Sequence, residues 1–400
     1  MIRATMRGVR HIREYLRLPK AAKSERRHDR AGLQTDDPGT IRVIDAGVAW
    51  LSLAQDRSAS LDGGVARHFS LVSGWGPSYP ETTGYIVPTM LKYAHLWRSA
   101  VVRSRAQRML DWLVSIQFPD GGFQGGTVLD KPRVPVTFNT GQILLGLAGG
   151  VAEFGEPYRD AMCRAADWLV RTQDPDGCWR KHPTPFAGPG EKAYETHVAW
   201  GLFEAARMEP QRGYADAALA NVQWALTKQR ENGWLDDCCL GDPTQPLTHT
   251  LGYALRGIVE AYRFSSEPML LTAACKTANG LLSALQINGI LPGKLDALWR
   301  PTVAWACLTG TVQVAHCWMI LYHFTGDEKY REAALAANRF VRRTIKVTGP
   351  AETYGAVKGS YPVNGAYEKY EFLNWACKFC IDSNIAEEEM MCNEKPENPG

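Results

Sequence analysis

The heptapeptide DWLVSIQ at residues 111–117 returns almost unchanged as DWLVRTQ at residues 167–173. Related versions are AWLSLAQ at 49–55, QWALTKQ at 223–229 and GLLSALQ at 280–286. The glutamines that end these five copies are separated by 62, 56, 56 and 57 residues. A constant period of this length is typical of repeat architectures, in which each repeat is one supersecondary unit. The repeat therefore dominates the prediction of the fold.

Each copy reads as a helix that ends in a tight turn. A sixth, degenerate copy is RFVRRTIKV, near residues 339–347. Glycine is the default residue where the backbone must turn with a positive φ. Turn glycines follow the five clear copies at Gly63, Gly121, Gly177, Gly233 and Gly289.

A second helical stretch follows each turn and is apolar on most sides, as expected for a buried helix. These stretches are predicted to begin near Glu81, Asn139, Glu195, His249, Thr311 and Gly365. The Trp-Gln helices carry charged residues on one face, which is typical of outer helices. Six such hairpins predict an all-α fold, an (α/α)6 toroid with an inner and an outer ring. We favour closure over an open solenoid because all six inner segments are similarly apolar, whereas a solenoid needs polar terminal repeats.

The toroid is predicted over residues 40–383 as one domain, although 400 residues would suggest two or three from length alone. No stretch reaches the roughly 20 apolar residues of a membrane span. The ten cysteines include the vicinal pair Cys238-Cys239 and do not resemble a secreted disulfide framework. We therefore expect a cytoplasmic protein with free thiols.

Charge is concentrated at the two ends of the chain. Residues 1–31 carry ten Lys or Arg and three acidic residues, which leaves the rest of the chain at 3 − 7 = −4. Residues 1–39 are predicted to be a basic extension, either a membrane-peripheral or partner-binding helix or a solvated terminus. Residues 384–400 are predicted to be an acidic disordered tail. The slightly acidic body argues against nucleic acid as a partner.

In such a toroid the inner helices run parallel, so that six helix N-termini meet at one mouth. Helix N-termini favour anionic groups. Two glutamates and two histidines fall at inner-helix starts, and side chains of these types perform acid–base chemistry. Taken alone, each glutamate also fits an acid favoured in the first turn of a helix, and each histidine fits a buried structural residue. Taken together with a tyrosine one turn further on, they are the catalytic candidates Glu81, Glu195, His197, His249 and Tyr253.

Aromatic and amide side chains gather at the same mouth. Flat aromatic faces beside polar groups suit sugar rings, which have an apolar face and a hydroxyl rim. The alternative is that these aromatics only pack the loops together. The substrate-binding candidates are Trp75, Tyr79, Tyr85, Asn139, Tyr194, Gln313, Tyr361 and Tyr367.

The hairpin count and the phrase TGDEKYREAA at residues 325–334 resemble the six-hairpin, (α/α)6-toroid carbohydrate-active enzymes. That resemblance covers about residues 40–383 and implies a glycoside hydrolase, a polysaccharide lyase or a sugar epimerase. The Trp…Gln…Gly punctuation also resembles terpenoid cyclases and prenyltransferase β-subunits. The cyclase motif D-x-D-D is missing from the sequence. Asp237-x-Cys239 with His316 only loosely matches the prenyltransferase zinc ligands. We therefore assign no metal or cofactor, and the sequence does not decide whether Asp237 and Cys239 bind a metal.

Two mechanisms follow from the candidate residues. Inverting hydrolysis needs two carboxylates roughly 6.5–9.5 Å apart, which Glu81, Glu195 or Glu368 could supply. Elimination or epimerisation on a uronic acid needs a base such as His197, His249 or Tyr253. The leading prediction is cleavage of glycosidic bonds in an acidic bacterial surface or exopolysaccharide, by hydrolysis or β-elimination. The alternatives are a uronate C5-epimerase or sugar epimerase, a terpenoid cyclase or prenyltransferase-like enzyme, and a non-catalytic glycan-binding protein.

Overall fold

The computed structural model describes residues 15–188 and 190–393. Helix α1 (Lys20–Ala31) precedes two rings of helices. The outer ring contains α2 (Thr40–Asp56), α4 (Ala100–Ile116), α6 (Arg159–Thr172), α8 (Tyr214–Leu226), α10 (Pro268–Ala284) and α12 (Glu328–Arg342). The inner ring contains α3 (Pro80–Leu96), α5 (Thr137–Phe154), α7 (Thr196–Met208), α9 (Thr248–Ser265), α11 (Leu308–Thr325) and α13 (Asn374–Asn393). Single 3₁₀ turns at Glu156–Tyr158 and Ala193–Glu195 precede α6 and α7.

The inner helices form a closed ring. Each packs against the next along the chain, from α3 to α13, and α13 returns to α3. Each of the first five also packs against the outer helix that follows it, whereas α13 packs against α2. The first outer helix and the last inner helix therefore form a pair that joins the two ends of the ring. The predicted all-α, closed (α/α)6 toroid is confirmed.

Within residues 15–188 and 190–393, five very short strands connect the loops at one end of the ring. Strands β1 (His68–Ser70), β2 (Gly74–Trp75) and β5 (Glu371–Leu373) form an antiparallel sheet in the order β2-β1-β5. Strands β3 (Ala306–Cys307) and β4 (Ser360–Tyr361) form an antiparallel pair. Because β1 precedes α3 and β5 precedes α13, the larger sheet joins two mouth loops across the point where the ring closes.

The repeated glutamine and glycine link consecutive outer helices. Gln117 Nε2 donates to the carbonyl of Gly121 in its own turn at 3.0 Å and to that of Ala161 in α6 at 2.9 Å. Gln173 makes the equivalent two bonds, both at 2.9 Å. Gly121 has a φ of 101°, and a Cβ there would lie 2.2 Å from the carbonyl oxygen of Arg164. The repeated motif is therefore a structural connection between neighbouring repeats.

Two glycines of α5 offer a matched test of inner-helix packing. A Cβ at Gly146 would lie 2.3 Å from the carbonyl oxygen of Gly84 in α3, whereas the nearest atom to a Cβ at Gly149 would be 3.7 Å away. We expect Gly146→Ala to destabilise the fold by about 1–3 kcal/mol through overpacking. Gly149→Ala should stabilise it by about 0.5–1 kcal/mol, because alanine restricts the unfolded backbone. Urea denaturation measures both; equal effects would contradict close contact at Gly146.

The C-terminal part of the prediction needs correction. Residues 365–373 form a loop and strand β5, so the sixth inner helix begins at Asn374 and not near Gly365. That helix continues to residue 393, which places residues 384–393 in the toroid and not in a disordered tail. The acidic composition misled the prediction because these residues have partners: Arg342 donates to Asn384 Oδ1 at 2.9 Å and to Glu387 Oε2 at 2.7 Å. The rest of the predicted tail, residues 394–400, lies outside the described residues.

The predicted basic extension also needs correction over its second half. Helix α1 packs on the toroid, and its Ala22, Glu25 and Asp29 are buried. Residues 20–31 are thus part of the fold and not a solvated extension, because acids within the basic segment pair with buried groups of the toroid. Residues 1–14, which form most of the predicted membrane-peripheral helix, lie outside the described residues. Within the described part of the chain, no helix combines the length and apolar character needed to cross a membrane.

Candidate active site

The N-terminal ends of the inner helices surround a cavity of about 360 Å³, hereafter the mouth cavity. Its walls come from the first turns of α3, α5, α9 and α13 and from the loops around residues 184, 240 and 367. It brings together many of the sequence-predicted site residues: Glu81, His249, Tyr253, Tyr79, Tyr85, Tyr194 and Tyr367. Sequence reasoning missed the contributions of Arg67, Phe138 and Trp375, and it left Glu368 outside the chosen site.

Glu81 is the second residue of α3, directly after Pro80. Proline fits the first helical position, and an acid in the first turn is favoured by the helix dipole. The side chain is 7% exposed and accepts a hydrogen bond from Tyr79 Oη at 2.8 Å. Burial raises the pKa of Glu81 to about 7, while the hydrogen bond from Tyr79 and the charge of Arg67 act in the opposite direction. A carboxyl group that titrates near neutral pH can donate a proton to substrate.

His249, the second residue of α9, is held by an amide from the neighbouring inner helix. Its Nδ1 lies 2.7 Å from Gln313 Oε1 in α11, so Nδ1 carries a proton and Nε2 presents a lone pair. Burial lowers the pKa of His249 to about 4, which keeps the ring neutral. The ring centroids of Tyr253 and Tyr367 lie 4.4 and 5.8 Å away. The neutral imidazole presents an Nε2 lone pair that can accept a proton, and its pKa of about 4 makes it a weak base at neutral pH.

Arg67 forms the charged wall of the mouth cavity. Its guanidinium donates to Glu368 Oε1 at 2.7 Å and to Glu371 Oε2 at 3.2 Å. Its Cζ lies 5.0 Å from the ring centroid of Trp375. Burial, followed by the charge of Glu368, raises the pKa of Glu371 to about 7. Arg67 lies in a loop that has no periodic pattern. The only feature of the sequence that could have placed it at the mouth was its position shortly after the turn glycine Gly63.

Other candidates are buried and do not line the mouth cavity. Glu195 is buried, burial raises its pKa to about 8, and its Oε2 has no hydrogen-bond partner among the described residues. His197 Nδ1 lies 2.6 Å from Gln142 Oε1, and the ring of Tyr253 is 4.5 Å away. Burial holds the pKa of His197 well below its usual range. Asn139 is fully buried, and within the described chain neither atom of its amide has a hydrogen-bond partner. These three polar side chains are therefore buried outside the mouth cavity.

Three further candidates hold other parts of the mouth in place. Gln313 contributes by orienting His249, as described above. Trp75 packs against Trp50 and Phe69, with ring centroids at 5.6 and 5.1 Å. The Tyr361 hydroxyl donates to the backbone carbonyl of Asp29 at 3.3 Å. Trp75 and Tyr361 thus pack loops and do not line the mouth cavity.

The residues considered for zinc do not come together. Asp237 pairs with Lys228 at 3.1 Å in the loop before α9. His316 lies more than two turns into α11, where its Nδ1 is 3.2 Å from Arg256. No group of three or more His, Cys, Asp and Glu side chains in the described ranges has an arrangement that could hold a metal ion. The loose match to prenyltransferase ligands therefore has no geometric support from His316.

No protein-family model matches the sequence, and no curated protein sequence matches it either. Solved structures do resemble the chain. An unsaturated glucuronyl hydrolase specific for heparin has a TM-score of 0.71 at 14% identity, over 89% of this chain and 99% of that one. A sugar epimerase from a ruminal bacterium has a TM-score of 0.68 at 12% identity, over 86% and 97%. An α-mannanase from Bacteroides thetaiotaomicron has a TM-score of 0.63 at 13% identity, over 89% and 97%.

These likenesses establish the fold alone. They confirm that the chain shares the (α/α)6 toroid of carbohydrate-active enzymes, as the repeat and the hairpin count indicated. At identities of 12–14% they assign neither substrate nor mechanism. The function must be argued from the residues of the mouth cavity.

Proposed function

We propose that the protein is a carbohydrate-active enzyme that cleaves glycosidic bonds in an acidic bacterial surface polysaccharide or exopolysaccharide, within the mouth cavity. The observation that carries this proposal is the buried carboxyl of Glu81, whose pKa of about 7 keeps a substantial fraction protonated at neutral pH. General acid catalysis is most efficient when the pKa lies near the working pH. Glu81 lies in a cavity whose walls are largely aromatic, as a sugar ring requires.

An acidic substrate is supported by Arg67, which would exchange its bonds to Glu368 and Glu371 for the substrate carboxylate. Arg67 is the basic residue of the mouth-cavity lining, and a guanidinium forms two parallel hydrogen bonds with a carboxylate. The N-termini of the inner helices point their unpaired N–H groups to the same end, which favours anions. An unsaturated glucuronyl hydrolase described as specific for heparin has the same fold, which is consistent with an acidic substrate.

Glu81 would donate its proton to the glycosidic oxygen as the bond to that oxygen breaks. In hydrolysis, water attacks the anomeric carbon and gives its proton to a second carboxylate, for which Glu368 in the cavity wall is the candidate. In β-elimination, His249 Nε2 removes the proton beside the uronate carboxylate and a carbon–carbon double bond forms as the leaving oxygen departs. Hydrolysis consumes one water molecule, and β-elimination needs no further reactant.

Epimerisation is the second candidate, and it would use the same His249 that serves as the base in β-elimination. The neutral ring, fixed through Gln313 at 2.7 Å, can remove a proton bound to carbon. A protonated partner on the opposite side of the substrate, such as Glu81, could then return a proton without bond cleavage. A sugar epimerase with the same fold supports keeping this alternative.

One panel of acidic oligosaccharides distinguishes these reactions. New reducing ends with water incorporated indicate hydrolysis, and the ultraviolet absorbance of an unsaturated uronate indicates β-elimination. Deuterium incorporated from solvent into an uncleaved sugar indicates epimerisation. Binding without any of the three products would contradict the enzymatic proposal and favour a glycan-binding protein.

Arg67→Met tests the acidic substrate. We expect KM for an acidic oligosaccharide to rise at least about tenfold, because a hydrogen bond to a charged group contributes about 1.5–3 kcal/mol. The matched control is Arg230→Met, which removes an exposed guanidinium paired with Asp236 outside the mouth cavity. Steady-state kinetics should show no change in KM for the control. Equal KM values for Arg67→Met and the unsubstituted protein would show that another group binds the acid.

A further inference from the structure

The opposite end of the ring contains a second cavity, of about 500 Å³, hereafter the far cavity. It is formed by the middle and C-terminal parts of several inner helices, together with Tyr85, Trp200, Lys378 and Asp382 from their N-terminal halves. Tyr85 lines both cavities, and its hydroxyl lies 3.5 Å from that of Tyr253. No residue of the proposed reaction except this shared tyrosine lines the far cavity. Its chemistry therefore needs a separate explanation.

The far cavity is surrounded by two buried ion pairs and one exposed arginine. Arg256 donates to Glu260 Oε1 at 2.6 Å, and Arg263 donates to the same oxygen at 3.0 Å. Lys378 pairs with Asp382 at 2.7 Å. Three cations against two anions leave 3 − 2 = +1. Arg256 is 8% exposed, Lys378 is 2% exposed, and their two carboxylate partners balance them. The excess charge is that of Arg263, which is 45% exposed and lies at the water-facing edge of this set.

A histidine adds a further donor to the same wall. Arg256 Nη1 lies 3.2 Å from His316 Nδ1, and arginine can only donate, so Nδ1 accepts. Burial, with the charge of Arg256 as the next cause, holds the pKa of His316 well below its usual range. The neutral ring therefore carries its proton on Nε2. Donors from Arg256, Lys378 and His316 thus line the cavity, and the exposed Arg263 supplies its one unbalanced positive charge.

The remaining walls are apolar. The guanidinium of Arg256 lies 4.1 Å from the ring centroid of Trp200, which fixes it against one wall. Leu145, Met319 and Met390 also line the cavity. At the rim, Lys92 and Glu389 pair at 2.8 Å and cancel each other's charge. The arrangement combines a cationic, donor-rich wall with an apolar volume large enough for a small organic molecule.

We propose that the far cavity is a second binding site, for a small anion with an apolar body. The charged group, a carboxylate or a phosphate monoester, would pair with Arg256 and Lys378 and accept from His316 Nε2. The apolar body would pack against Trp200 and Met319. This site is independent of the proposed activity, because its residues other than Tyr85 are separate from the mouth cavity.

Titration calorimetry on the full chain with matched probes tests the proposal. The probes are 4-phenylbutyrate and 4-phenylbutyl phosphate, with 4-phenylbutanol and 4-phenylbutylamine as uncharged and cationic controls. We expect at least one anion to bind at least about tenfold more tightly than either control, as expected for one charged hydrogen bond. The tighter of the two anions identifies the preferred charged group.

Variants then locate the binding. Arg256→Met should weaken the anion at least about tenfold. Ala386→Trp should abolish binding, because it fills the far cavity and removes no charge. The second variant decides the question if loss of Arg256 prevents folding. Arg67→Met, in the mouth cavity, should leave the affinity unchanged.

Three results would overturn the proposal. The first is equal affinity for the anions and 4-phenylbutanol, and the second is no binding of either anion. The third is an affinity that falls with Arg67→Met but survives Ala386→Trp, which would place the anion in the mouth cavity. Because the readout is binding, failure here leaves the proposed activity untouched, and absence of activity leaves this site untouched.

Discussion

Glu81→Gln is expected to lower kcat by at least about a hundredfold on any confirmed substrate, because general acid catalysis contributes about 10²–10⁴ in rate. The amide has nearly the shape of the acid but has no acidic proton for the leaving oxygen. The fold should persist, since the Tyr79 hydroxyl can still donate to the amide oxygen at this position. Circular dichroism and single-turnover kinetics separate loss of chemistry from loss of structure.

The pH dependence gives an independent test of the same role. Glu81 must hold its proton, and its pKa is raised to about 7, so activity should fall as the pH rises through that value. Tyr79→Phe removes a hydrogen bond that lowers the pKa of Glu81. The alkaline limb of the kcat/KM profile should therefore move to higher pH in this variant. A limb that stays in place would mean that another group sets it.

Glu195→Gln is the matched control for Glu81→Gln. Both carboxyls are buried and both have raised pKa values, but only Glu81 lines the mouth cavity. The control should therefore retain most of the activity. A larger loss from Glu195→Gln than from Glu81→Gln would contradict the assignment and transfer the acid role to Glu195.

Lys358→Met is expected to destabilise the protein by about 3–5 kcal/mol, the usual consequence of removing one partner of a buried ion pair. The ammonium of Lys358 is 1% exposed and lies 3.0 Å from Glu25 Oε1 and 2.5 Å from Asp29 Oδ1. Burial acts to raise the pKa of Glu25, but the charge of Lys358 and the contact with Lys346 hold it below its usual value. The substitution leaves two buried carboxylates with too few partners. Urea denaturation measures the change in the free energy of unfolding.

The surface pair of Lys329 provides the control for Lys358→Met. Lys329 Nζ lies 2.7 Å from Asp327, and both side chains are 43% exposed. Lys329→Met should therefore cost only about 0–1 kcal/mol. The triple variant Glu25→Gln, Asp29→Asn and Lys358→Met should recover part of the stability, since no unpaired charge stays buried. Equal effects of Lys358→Met and Lys329→Met would show that the buried cluster contributes little.

This cluster also connects α1 to the mouth of the ring. Asp29 Oδ2 accepts from the backbone N–H of Val363 at 2.6 Å, a few residues before Tyr367 and Glu368 in the cavity wall. The loop that carries those two residues is therefore held from behind by a helix more than 300 residues away in sequence. A basic-rich segment gave no sign of this role, because composition does not reveal which charges find buried partners.

The repeat was sufficient to predict the closed ring because each copy is formed by residues that are close together in sequence. Each copy contains its own helix, its Gln117-type connection and its Gly121-type turn, and these recur with nearly constant spacing. The same reasoning placed Glu81 and His249 at inner-helix starts, and the closed ring brings both to one cavity. Their catalytic roles are still predictions.

Only the tertiary structure decided which of these residues share a surface. Glu195 and His197 flank the start of an inner helix much as Glu81 and His249 do, yet they are buried and do not line the mouth cavity. Arg67 joins the cavity from a loop without a repeat signal. The sequence by itself determined the repeat, the toroid and the end at which acid–base residues gather, because periodic patterns encode local packing. The depth of each side chain, its pKa and its charged partners depend on contacts between distant segments, and those arise only when the ring closes.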